Sequence, residues 1–165
     1  MKYITVNKDL IHIPQSKSAN MEAVLLYYIR TKCNKECVSA IGEKKMQEEL
    51  NLSESTVEGY IGKLKKYKSI LSIKTLNPNN EEDKKEIDKV LGVPYEGDKR
   101  KKNLYYFHEP ERFYFLNPQF IYRTDIENEI KGFLIRLACL CDIGTTKIYT
   151  PNCRKEKANI KSIAD

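Results

Sequence analysis

Lys45-Met46-Gln47-Glu48-Glu49-Leu50-Asn51-Leu52-Ser53-Glu54-Ser55-Thr56-Val57-Glu58-Gly59-Tyr60-Ile61 reads as two short helices joined by a three-residue turn. Met46, Leu50, Leu52, Val57 and Tyr60 form an apolar stripe, and Ile61 and Leu64 extend it. Helices this close must share one small core, which constrains those spacings. Asn51 stands in the turn, and after glycine Asn is the residue best able to adopt a left-handed backbone. Ser53 is placed to cap the second helix, with Glu54 favourable at the positive end of its dipole. The pattern predicts helices over 43–50 and 54–67 with a turn at 51–53.

Flanking patterns build outward from this pair. Met21, Val24, Leu25, Tyr28 and Ile29 recur at helical spacing, with Ser18 or Asn20 as the expected cap. Residues 37–41 read as a short strand ended by Gly42. Downstream, 70–76 alternates as a strand should, and 103–108 is its expected partner. About 26 residues separate them, far more than an ordinary hairpin loop. Within that insertion 81–91 has helical character, with Ile87, Val90 and Leu91 as its apolar face, and Lys99, Arg100, Lys101 and Lys102 lead back into the sheet.

The stretch 45–61 closely resembles the helix-turn-helix of winged-helix DNA-binding proteins. Gln47 departs from that pattern, which has a small residue at the helix contact. The resemblance implies an α+β, mostly helical fold whose second helix enters the major groove of double-stranded DNA. Ser55, Thr56 and Glu58 would then read bases, Lys63, Lys65 and Lys66 would neutralise phosphates, and Ser53 and Gly59 would belong to the same DNA-binding surface. The long insertion becomes an elaborated wing carrying Lys99, Arg100, Lys101 and Lys102 toward the DNA backbone or minor groove. Gly59 and Gly62 share an outward stripe. Each costs a helix about 1 kcal/mol relative to Ala, so the pair points to close approach by something. The plainer alternative for 63–68 is a solvated helix end, where cations suit the dipole.

The chain also opens the same pattern twice. Residues 2–11 align without gaps on 112–121: a β-type run, an Asn (Asn7, Asn117), then an apolar pair. Each run precedes an amphipathic helix, the second carrying Ile126, Ile130, Phe133, Leu134, Leu137 and Cys141 after a Thr124-x-x-Glu127 capping box. Residues 144–149 parallel the strand near Val38, and 157–165 read as the opening turns of a second helix-turn-helix. The expected division is a winged-helix unit over 1–110, with its wing insertion at about 77–102, and a partial second winged-helix-like unit over 111–165. The second unit is expected to pack, form a homodimer or introduce a further domain. Paired modules of this kind resemble plasmid and phage replication initiators and replisome organisers, which implies replication proteins as partners. A transcriptional regulator would use the same first unit.

Composition agrees with a nucleic-acid partner. The net charge is +6, and residues 1–78 hold 13 Lys/Arg against 8 Asp/Glu. No apolar run approaches the ~18 residues of a membrane span, and 1–13 lacks the features of a secretory signal, so a soluble cytoplasmic protein without a membrane partner is expected. Five cysteines without secretory features are expected to be reduced. Cys33-x-x-x-Cys37 and Cys139-x-Cys141 are poor zinc spacings, and His12 and His108 complete no ligand set, so no metal or other cofactor is expected. Two histidines and no phosphate-binding glycine loop leave no catalytic constellation, and no enzyme is expected. The rival of another class is a winged helix that binds protein, favoured by Glu54 and Glu58 because carboxylates repel phosphates.

Overall fold

The computed structural model describes residues 3–97 and 99–141. Among them the chain is α+β, with five α-helices and two small antiparallel sheets. β1 (Ile4–Asn7) leads through a 3-10 turn into α1 (Lys17–Thr31). β2 (Val38–Ser39), α2 (Glu43–Leu50), α3 (Glu54–Leu64) and β3 (Leu71–Leu76) follow. α4 (Glu81–Leu91) lies in the insertion before β4 (Lys102–Phe107), and β5 (Phe113–Leu116) and α5 (Asn128–Ala138) close the described chain. No helix among the described residues is long and apolar enough to cross a membrane.

The helix pair forms as its residues dictate. Asn51 adopts the left-handed conformation (φ 52°, ψ 52°), which turns the chain sharply between α2 and α3. Ser53 caps α3, its hydroxyl accepting from the Thr56 amide at 3.3 Å. Met46, Leu50, Val57, Ile61 and Leu64 are buried in the main core. α3 stops at Leu64 rather than 67: the amides of Lys66 and Tyr67 bond three residues back, to Lys63 and Leu64, in a tighter turn that leaves Tyr67 buried.

One sheet has the order β2-β4-β3, so β4 is central. β3 and β4 pair from Leu71↔Phe107 to Leu76↔Lys102. The insertion folds back on this sheet through a second small core of Ala40, Leu76, Ile87 and Leu104, with Val90 packed against it. Asn80 caps α4 and Gly92 ends it at φ 73°. Leu91, expected on the apolar face, is exposed, since Ile87 alone reaches deep enough to be fully covered.

The repeat takes an unexpected form: its two copies pair with each other. β1 and β5 are antiparallel, with Ile4 opposite Leu116, Thr5 opposite Phe115 and Val6 opposite Tyr114. Since Ile4 aligns on Tyr114 and Val6 on Leu116, this register exchanges the copies about a local two-fold axis at Thr5 and Phe115. Asn7 and Asn117 play the same part in each copy, accepting from the amides of Asp9 (2.9 Å) and Gln119 (3.0 Å) to start a 3-10 turn. α1 and α5 then pack on one another. Ile121, Ile135 and Cys139 share the core that holds Val6, Leu25 and Tyr28.

Three sequence expectations need correction. α1 is capped by Ser16, not Ser18 or Asn20; Ser18 instead donates to Glu22, and Asn20 is buried. The capping box at Thr124 and Glu127 does not form: α5 starts at Asn128, and its cap residue Glu127 makes no side-chain bond. The buried side of α5 is Lys131, Gly132, Ile135 and Arg136, continued by Cys139, while Ile130, Phe133 and Leu134 are exposed. Gly132 explains the choice, because a Cβ there would lie 1.9 Å from the Asn20 carbonyl oxygen. Two long cations make that face satisfiable. Lys131 donates to the Ile121 carbonyl at 3.0 Å, and Arg136 donates to Gln15 and to the carbonyls of Leu10 and Ile13. The predicted strand at 144–149 and helix at 157–165 lie outside the described residues.

Candidate nucleic-acid interface

The outward side of α3 is set by what its inward side must bury. With Val57, Ile61 and Leu64 in the core, Glu54, Ser55, Glu58, Gly59, Gly62 and Lys63 face solvent. At its start, the Ser53 hydroxyl lies 2.7 Å from that of Thr56 and 3.3 Å from that of Ser55. This ordering fixes the first turn. Among the described residues nothing outside the helix's own backbone lies within 4 Å of where a Cβ of Gly59 or Gly62 would stand, so packing among them does not require glycine at either position.

A groove of about 620 Å³ runs between this end of the helix pair and the end of the β3–β4 insertion. Glu43, Lys44 and Gln47 of α2 and Glu54 and Glu58 of α3 form one wall, with Tyr95, Arg100, Lys101 and Lys102 opposite. The Lys102 ammonium lies 5.1 Å from the centre of the Tyr95 ring. Asn103 and Tyr105 of β4 complete the lining. Burial pushes the Glu43 carboxyl above its usual range, the nearby Glu58 and Glu54 charges push further, and Arg100 pulls part of the way back.

The predicted residues therefore divide. Glu58, Arg100, Lys101 and Lys102 meet in the groove. Ser53, Ser55, Thr56 and Gly59 lie along α3 beside it, and Lys99 is exposed, its carbonyl accepting from Asn79 at 3.1 Å. Lys63 and Lys65 sit at the far end of α3. The Lys63 ammonium donates to Ser18 at 2.9 Å and lies over the Tyr60 ring. Lys66 turns inward. Its ammonium is 2.7 Å from the carboxylate of the fully buried Glu22, which also accepts from Tyr67 at 2.6 Å and Ser18 at 2.7 Å. Burial works against the Glu22 charge, but the hydrogen bonds from Lys66, Tyr67 and Ser18 prevail and hold its carboxyl below the usual range.

Sequence reasoning missed Glu43, Lys44, Tyr95 and Tyr105 as groove residues. The first two were visible as the first turn of α2, the natural neighbour of α3. The tyrosines become neighbours only through the folding of the insertion. Among the described residues, no group of three or more His, Cys, Asp or Glu is placed to hold a metal ion. The thiols of Cys33 and Cys139 are pushed up by burial, to about 11 and about 12, so neither is primed as a nucleophile. The chain matches no protein-family model, no curated protein and no solved structure.

Proposed function

We propose that this chain is a winged helix-turn-helix protein that binds double-stranded DNA, with α3 as the reading helix and the β3–β4 insertion as an elaborated wing. The observation that carries this reading is the joint placement of two features. An α3 face left open at Gly59 and Gly62 stands beside a groove whose far wall is Arg100, Lys101 and Lys102. Open glycines allow a backbone or base edge to come close, and cations beside them suit phosphates. The function is then binding rather than catalysis, in the cytoplasm.

Titration of duplex DNA at two salt concentrations tests it. Binding is expected to weaken steeply with salt, by about 0.9 in log–log slope for each phosphate neutralised. Lys63→Ala and an Arg100→Ala/Lys101→Ala wing variant are each expected to lower affinity and flatten that slope. Lys66→Ala is a poorer probe, since Lys66 also partners the buried Glu22. Wild-type binding in both probes would remove the proposed surface. Replication initiation is preferred to transcriptional regulation because paired modules of this kind resemble plasmid and phage initiators. Footprinting on the native locus decides between them: a protected array of direct repeats supports the initiator, and a protected promoter alone supports the regulator. The protein-binding alternative draws on Glu43, Glu54 and Glu58, and salt-independent failure to bind any duplex would favour it.

A further inference from the structure

Carboxylates are misplaced on a surface that meets only phosphates, yet three of them converge here. Glu54 and Glu58 are four residues apart on the exposed side of α3, and Glu43 reaches the same groove from α2. Cations line the same groove. Lys44 lies on the α2 side and Arg100, Lys101 and Lys102 stand across the groove. Carboxylates on one wall and cations on the other suit a surface that meets both base edges and phosphates.

We propose that Glu58, with Glu54 beside it, selects cytosine by accepting a hydrogen bond from its N4 amino group in the major groove. The inference rests on the duplex-binding reading above. An ionised carboxylate is an acceptor only. Guanine presents the acceptors O6 and N7, thymine presents O4, and adenine sets the acceptor N7 beside its amine. Cytosine alone offers an amino donor with no acceptor of its own next to it. The charge that would repel phosphates thus discriminates against the other three bases, which is specificity by exclusion.

Selection of sites from a random duplex library by the full chain, followed by titration, provides the test. The selected site is expected to carry cytosine at one or two positions. Replacing such a C·G pair by T·A should weaken wild-type binding at least about fivefold. Glu58→Gln should shrink that penalty below about twofold and move the preference toward adenine, which a carboxamide reads well. Glu54→Gln and the double variant are run in parallel, and all these side chains are exposed, so folding should persist. A selected site without cytosine, or a cytosine preference that survives in the double variant, overturns the inference while the duplex-binding reading stands. Absence of any duplex binding overturns both.

Discussion

Gly59 and Gly62 lie on a helix that would be more stable without them, and a Cβ at either would meet no neighbour among the described residues. Gly59→Ala is therefore expected to raise stability by up to about 1 kcal/mol, read as a higher urea midpoint, while weakening duplex binding. A stabilised variant with unchanged DNA affinity would deny α3 its reading role. Two glutamates make opposite pH predictions. Glu22 is held below its ordinary value of 4.5, so it contributes stability above that pH and loses it as pH falls through its lower folded value. Glu22→Gln should cost about 1–3 kcal/mol at pH 7, with the gap closing in strong acid. Glu43 is raised above 4.5, so its charge opposes folding at pH 7. Glu43→Gln should be the more stable protein there, the advantage shrinking as pH falls and vanishing below about 4.5. Urea melts of both variants between pH 7 and pH 3 check the two signs together.

At the scale of elements, local patterns were legible and partner-dependent ones were not. The bounds of α2, α4 and β5 follow from short-range rules: the Asn51 turn, the Asn80 cap, and the Asn117-Pro118 break. α5 shows where such rules fail. Its apolar stripe, Ile130, Phe133 and Leu134, is exposed, and a face of Gly132 with two cations is buried instead. Hydrophobic periodicity cannot anticipate that a helix will use its glycine to approach another backbone, or that Lys131 and Arg136 will find buried carbonyls. The candidate site divides in the same way. Ser53 and Glu58 were readable from the helix pair, whereas Tyr95 and Tyr105 depend on how the insertion folds. Gly132→Ala is expected to force α5 off α1 and cost about 1–3 kcal/mol or more. Phe133→Ser, on the exposed side of the same helix, should change stability by no more than about 0.5 kcal/mol. Thermal melts that rank these variants in the reverse order would show that α5 packs by its apolar stripe after all.

For the molecule as a whole, the repeat was visible in the residues but its arrangement was not, because alignment says nothing about whether two copies lie side by side or face each other. Here they face each other, and that has a consequence for dividing the chain at residue 110. Among the described residues β1 is paired only with β5, and α1 is covered along one side by α5. The Thr31 and Tyr122 hydroxyls lie 2.6 Å apart, and Asn128 donates to the Leu50 carbonyl at 2.9 Å, tying the second copy to both α1 and the end of α2. A fragment of residues 1–110 keeps α2, α3 and the whole insertion, yet leaves β1 without a partner and the α5-facing side of α1 in water. Such a fragment is expected to unfold at much lower denaturant than the full chain, or without a cooperative transition, and to lose duplex binding with it. Circular dichroism melts and a DNA titration on the fragment measure both. A fragment that melts cooperatively and binds like the full chain would make the first copy a self-sufficient unit. The two-fold pairing argues against that, since the residues that complete the core around α1 come from the second copy.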